Sequence, residues 1–155
     1  YEKNTAIRNR SFGYARDKSG KPVFSDQSLT SATKGDGGVY TSIADYVKWI
    51  EALRTNKLID LQSVLSHKSF NIAEKEGSAY SAGWFVRKAE GMLFHSGSTC
   101  GFSTFVVEIP ARRTSIIFFS NLANNEKPFT EILTVLAGSG IAGLDQVMGL
   151  HTLTR

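Results

Sequence analysis

Apolar and polar positions alternate most clearly between Met92 and Asn121. An apolar run, Met92-Leu93-Phe94, ends in His95-Ser96-Gly97 and is followed by a small polar loop. A β-rich run covers Phe102 to Ile109, Pro110 to Arg113 makes a turn, and a second β-rich run covers Thr114 to Ser120. Upstream, Tyr80 to Arg87 reads as a strand with Tyr80, Ala82, Trp84 and Val86 on one face, and Lys88-Ala89-Glu90-Gly91 turns it back towards His95. Loops this short favour sequential antiparallel pairing. The pattern therefore predicts a four-stranded meander with strands near residues 80–87, 92–96, 102–109 and 114–120.

A period near 3.6 appears in two places. Ser42 and Asp45 have the spacing of a capping box, with Asp in place of the preferred Glu or Gln. Ile43, Tyr46, Val47, Ile50 and Leu53 then form a helical stripe with Trp49 on its flank, and Arg54 and Lys57 fall at the negative end of the helix dipole. A helix over 42–56, packed on the sheet, is predicted. Pro128 opens a second helix to about Ala137, with Phe129, Ile132, Leu133 and Leu136 on one side, and Gly138, Gly140 and Gly143 break it. Leu58 to Ile72 reads as a short helix or two turns around Leu61, Val64 and Leu65, residues 73–78 as a polar loop, and Leu144 to Arg155 as a tail that a frayed helix would fit. Residues 1–34 are polar, with short extended pieces and a turn at Lys18-Ser19-Gly20-Lys21-Pro22. The fold class that follows is α+β: an antiparallel sheet covered by helices.

With 155 residues, 41% of them hydrophobic, the chain has the size of one domain with a real core. The formal charge is +4, but the eighteen Lys and Arg are scattered, with no basic run of the kind nucleic-acid binding needs. No run reaches the ~18 apolar residues of a membrane helix. The single cysteine, Cys100, excludes an intrachain disulfide; it fits a small filler in the loop better than a nucleophile. The first residue is Tyr1 rather than Met, so a piece of a longer protein is expected.

Few residues carry a chemical signal. Gly35-Asp36-Gly37-Gly38 before a helix could cradle a phosphate, but the Lys-Ser/Thr ending of a nucleotide loop is missing and Asp36 would repel an anion, so a structural use is favoured. Ser31-Ala32-Thr33-Lys34 has the Ser-x-x-Lys spacing of a nucleophile and its base. With seventeen Ser and ten Lys in 155 residues, about one such match arises by chance, and Lys34 runs straight into glycines instead of a helix. There is no Gly-x-Ser-x-Gly elbow, metal-binding His/Cys cluster or dinucleotide fingerprint, and neither cofactor nor metal is expected. His67 and His151 stand alone and fit surface positions.

His95-Ser96-Gly97, followed by Thr99-Cys100-Gly101-Phe102, the Pro110 turn and Phe119-Ser120-Asn121, resembles the C-terminal half of the serine β-lactamase-related family. That family groups class C β-lactamases, D-Ala-D-Ala carboxypeptidases and related esterases. Ser11-Phe12-Gly13-Tyr14, the Gly37 to Asp45 stretch and Tyr80 to Trp84 are similar to further landmarks of it. Of the family's three motifs, Ser-x-x-Lys, Tyr-x-Asn and Lys-Thr-Gly, the third has a His-x-Gly form that His95-Ser96-Gly97 fits. No Tyr-x-Asn occurs; Tyr40-Thr41-Ser42 resembles a Tyr-x-Ser variant, but Ser42 is better explained as a helix cap.

The resemblance implies that the first two motifs lie before Tyr1, so the chain is a partial domain that holds one wall of an active site without the nucleophile. His95 is then a catalytic residue that hydrogen-bonds the substrate or a Tyr base. Ser96, Gly97 and Ser98 form the substrate and oxyanion wall, the amide of Ser98 being the donor. The implied ligand is a small-molecule or peptide-like acyl substrate, an amide, ester or β-lactam, and the implied location is bacterial periplasm or exterior, with the cytoplasm as the alternative. A truncated sheet further implies self-association through its uncovered edge or face. The alternative is a non-catalytic binding module that uses the sheet edge and the 95–101 loop. A third reading is an independent hydrolase using Cys100 or Ser31.

Overall fold

In a computed structural model, the structure describes residues 7–28, 31, 33, 35, 37–61, 63, 78–89, 91–138 and 140. Most of the expected 58–72 segment, residues 73–77 of the expected 73–78 loop and the 144–155 tail lie outside the described residues, while Ser78 begins a strand instead of ending that loop.

Five antiparallel strands form the main sheet in sequence order: β3 (Ser78–Ser81), β4 (Trp84–Arg87), β5 (Met92–Thr99), β6 (Phe102–Ile109) and β7 (Thr114–Ser120). They are preceded by a two-stranded hairpin, β1 (Tyr14–Arg16) with β2 (Pro22–Phe24), and by helix α1 (Ile43–Arg54); helix α2 (Lys127–Ala137) follows. The α+β class is thus observed, with one more strand in the meander than the pattern predicts.

The extra strand comes from residues 80–87, which are not one strand but a hairpin. Ser81 pairs with Trp84 across Ala82 and Gly83, whose φ angles are 50° and 83°. Two consecutive left-handed residues suit a primed turn, whose twist matches that of the flanking strands. The hairpin also reverses the face assignment: Tyr80 pairs with Phe85, so Trp84 and Val86 point away from it. Strand β5 likewise runs to Thr99 rather than stopping at Ser96, because Gly97, Ser98 and Thr99 pair with Thr104, Ser103 and Phe102.

Alternation along β5 and β6 divides the core into two clusters, one on each side of the sheet. Met92, Phe94, Phe105, Val107 and Ile109 pack against Phe129 and Leu133 of α2. Leu93 and Val106, with Trp84, pack against Ile50 and Leu53 of α1 and against Leu61. The two helices therefore cover opposite faces. Ser42 caps α1 as the sequence suggests: its Oγ accepts from the Asp45 amide at 3.1 Å and donates to Asp45 Oδ2.

The position of α1 is fixed at both ends. Tyr46 packs edge-on against Phe119 of β7 at 5.4 Å, and Arg54 bonds Glu108 of β6 and Ser115 of β7. Register places Phe119 opposite Thr104 and Gly97, so the N-terminal end of α1 lies towards the Gly97 end of the sheet. The stripe is only half covered, since Ile43 and Val47 remain about half exposed at its margin.

Candidate functional site

Strand β5 outruns its neighbour. Strand β4 pairs with it only as far as Phe85 opposite Phe94, whereas β6 continues to Phe102 opposite Thr99. Residues His95 to Thr99 therefore have β6 on one side and, among the described residues, no strand on the other. Such an edge presents backbone donors and acceptors to an extended ligand. His95, Ser96, Gly97 and Ser98, all consecutive on β5, lie along it. Burial falls along the edge: His95 and Ser96 are half-buried, while Gly97, Ser98 and Thr99 are exposed.

His95 sits at the root of the edge. Its ring lies beside Phe85, with centroids 5.9 Å apart, and its Nε2 is 3.4 Å from the hydroxyl of Tyr80 on β3. Burial holds the imidazole below its ordinary pKa of 6.5, and a hydrogen bond with the Ser96 backbone works weakly against this. A neutral imidazole in the fold has a stability consequence. The unfolded chain takes up this proton more readily than the folded one, so the contribution is full above about pH 6.5 and is lost as the pH falls through the lower folded value. Urea midpoints of the native chain should therefore drop between about pH 7 and about pH 5 by more than those of His95→Gln. Equal drops would show that His95 titrates normally.

Gly97 is constrained by its partner across the ladder. A Cβ there would sit 2.6 Å from Thr104 Oγ1, which already reaches back to the Gly97 carbonyl at 3.5 Å. A side chain at 97 would crowd the middle of the open edge. Cys100 and Gly101 close the β5–β6 turn, Cys100 half-buried with φ 48°.

A strap from the N-terminal hairpin grips this turn. The Tyr14 amide faces two carbonyls, Asn121 at 3.0 Å and Gly101 at 3.3 Å, and the Tyr14 carbonyl accepts from Ala123 at 2.8 Å. The strap is itself fastened by buried Asp26, which accepts from the Gly13 amide at 2.9 Å and from Arg10 Nη2 at 2.5 Å. That carboxylate raises the Arg10 pKa further above its ordinary value. Arg10 also donates to the Tyr40 hydroxyl at 2.6 Å and lies over the Phe12 and Tyr40 rings. Gln27 bonds the same hydroxyl. Tyr40 thus serves the strap and packs edge-on against Phe102.

Backbones meet so closely here that a Cβ on Gly101 would lie 2.1 Å from the Tyr14 nitrogen and 2.2 Å from the Ser25 carbonyl oxygen. Neither atom can turn aside. Gly101→Ala should cost about 1–3 kcal/mol and loosen the strap, seen as faster hydrogen exchange at the Tyr14 and Ala123 amides. Gly97→Ala should cost less, because the Thr104 hydroxyl can rotate away. A Gly101→Ala chain with native exchange at both amides would refute the close packing.

On the face shared with Ser98, a polar row continues across the sheet through Ser103 and Ser120. The Ser103 hydroxyl donates to the Leu122 carbonyl at 3.0 Å, and Asn125 Nδ2 donates to Ser120 Oγ at 2.9 Å. These bonds fix the segment after β7 against the ends of β6 and β7.

The Ser-x-x-Lys match is only partly visible, since Ala32 and Lys34 lie outside the described residues. Ser31 Oγ accepts from the Ser28 amide at 3.2 Å. His67 and His151 also lie outside the described residues. Among the described residues, no group of three or more His, Cys, Asp or Glu could hold a metal ion, and no helix is long and apolar enough to cross a membrane. Tyr80, Arg10 and Asp26 were not singled out in the sequence as parts of this site. Their places show only in the folded chain, because Tyr80 reaches His95 from β3 while Arg10 and Asp26 act on the strap that grips the β5–β6 turn.

The family model described as Beta-lactamase matches residues 3–138. Protein flp of Staphylococcus aureus strain MRSA252 is 28% identical over 131 residues, which is 82% of this chain and 26% of that protein. Protein flp of strain COL is 29% identical over 129 residues, 81% of this chain and 26% of its own length. The chain spans about a quarter of the length of the curated relatives it matches.

Proposed function

Because this chain belongs to the beta-lactamase family, we propose that it supplies one wall of a serine acyl-transfer site, completed by the rest of a longer protein. The observation that carries this is the open edge of β5, with half-buried His95 at its root and exposed Gly97 and Ser98 along it. An acyl substrate can lie along that edge as an added strand, and Gly97 leaves room for its backbone. The Ser98 amide donates to the oxyanion that forms when a serine attacks the acyl carbon. His95 hydrogen-bonds the substrate or a Tyr base and is not the nucleophile. The nucleophile and base come from a Ser-x-x-Lys and a Tyr-x-Asn encoded upstream of Tyr1. Amides, esters and β-lactams all suit this arrangement, and His in the Lys position favours an ester or peptide bond.

The gene sequence before Tyr1 and two assays test the proposal. The 155-residue chain should turn over neither a chromogenic cephalosporin nor a p-nitrophenyl ester above background, and the longer protein should hydrolyse at least one of them. In the longer protein, His95→Ala should lower kcat/KM by about 10²- to 10³-fold, the range of a lost hydrogen-bond donor at the reacting centre. Unchanged kcat/KM in that variant would overturn the role of His95. Turnover by the short chain that disappears in Ser31→Ala or Cys100→Ser would overturn the division of the site between two segments.

The exposed tip from Gly97 to Thr99 favours a second reading, a non-catalytic module that binds a ligand or protein along the same edge. It requires that both upstream motifs be missing. Self-association through a sheet edge belongs to either version, and sedimentation of the chain over a range of concentrations distinguishes a monomer from a two-fold dimer.

A further inference from the structure

The hydroxyl of Tyr80 is the polar group the structure places at His95 Nε2, 3.4 Å away, and it arrives from β3, two strands across the sheet. Its ring is held for this task. Tyr80 packs on Phe85 at 4.8 Å, Phe85 stacks on Phe94 at 5.2 Å, and the imidazole lies 6.0 Å from the Tyr80 ring centre. The Ala82-Gly83 turn makes this meeting possible, because it folds β3 back along β4 and sets Tyr80 opposite Phe85.

We propose that Tyr80 is a positioning residue that donates its hydroxyl proton to Nε2 of His95 and so fixes the neutral imidazole with its own proton on Nδ1, the nitrogen nearer the strand backbone. A neutral imidazole has one donor and one acceptor, and the partner of one nitrogen decides the state of the other. A phenol that donates to Nε2 forces the ring N–H to Nδ1. The hydrogen bond between His95 and the Ser96 backbone favours the protonated ring and so agrees with a ring N–H that donates to that backbone. The consequence rests on the acyl-transfer reading above. A ligand lying along residues 95–99 offers carbonyl or carboxylate oxygens, which need a donor, and Nδ1–H, shared with the Ser96 backbone, supplies one without a positive charge. With the opposite tautomer the edge would present a lone pair to those oxygens.

The test is nitrogen-15 NMR of the imidazoles in this chain at a pH where His95 is neutral, with the His95 signals assigned by their loss in His95→Gln. Nδ1 should carry the proton and Nε2 should show the shift of an accepting nitrogen. Tyr80→Phe keeps the ring contact with Phe85 and removes only the hydroxyl. It should move the tautomer ratio towards Nε2–H by roughly two- to tenfold, the effect of one net hydrogen bond. A native chain with its His95 proton on Nε2 overturns the proposal, whether or not Tyr80→Phe folds. So does a Tyr80→Phe chain with an unchanged ratio. Neither result depends on catalysis. If the tautomer is as stated and His95→Ala leaves kcat/KM of the longer protein intact, the positioning stands and the acyl-transfer role of His95 falls.

Discussion

Replacing Arg54 by methionine should cost the chain about 3–5 kcal/mol, a large share of the 5–15 kcal/mol typical of a folded domain. Arg54 grips Glu108 with two bonds, Nε to Oε1 at 2.5 Å and Nη2 to Oε2 at 2.9 Å. The Glu108 side chain is 3% exposed, in a face otherwise lined by Leu93, Val106 and Ile117. Without the guanidinium, a buried carboxylate would keep, among the described residues, only the Ser115 hydroxyl, 2.6 Å from Oε2. Most of the loss comes from stranding that charge, and less from breaking a contact. The double variant Arg54→Met with Glu108→Leu should therefore recover most of the stability lost by the single one. Urea denaturation measures both. A single variant within about 1 kcal/mol of native would mean that water reaches Glu108.

Phe129→Ala should produce a loss of similar size, about 3–5 kcal/mol, through a cavity instead of a charge. Phe129 is 1% exposed and anchors α2 to the sheet, with its ring centre 4.2 Å from that of Phe105 and 5.7 Å from that of Phe118. It also ends an aromatic column, because Phe105 stacks with Phe94 and Phe94 with Phe85. The column reaches the ring that supports Tyr80 and His95. Phe129→Leu should restore more than half of the loss, and the near-ultraviolet dichroism of the remaining aromatic column should fade more in the alanine variant than in the leucine variant. If alanine and leucine destabilise equally, ring stacking and not filled volume holds α2 in place.

What the sequence disclosed and what it hid divide along a physical line. Strands β5, β6 and β7 were legible because their apolar runs are bounded by turn residues, and α1 was legible from the Ser42 cap and its stripe. The hairpin at Ala82-Gly83 was not, since alanine with φ 50° gives none of the Asn-Gly or Asp-Gly signal that marks such a turn. The consecutive residues His95, Ser96, Gly97 and Ser98 could be named from the motif alone. Their surroundings could not. Arg54 read as a favourable charge at a helix end, yet its carboxylate partner lies 54 residues away. Gly13 and Gly101 stood in two separate stretches that carry the resemblance, and only the folded chain shows that their backbones touch. Pairings set by tertiary geometry leave no local trace.

The meander that forms the open edge has a kinetic consequence. Strands β5, β6 and β7 occupy 29 contiguous residues, joined by a two-residue turn and by a short 3-10 turn at Pro110–Arg112. Closing such short loops costs little chain entropy, so this ribbon can form early, before α2 docks. The strap at Tyr14 must instead close a loop of more than 80 residues to reach Gly101 and Asn121. It should form late and detach first in local openings, while the ribbon stays paired. The turn that ends the open edge should then be remodelled on the timescale of strap detachment, which hydrogen exchange at the Tyr14 amide would report.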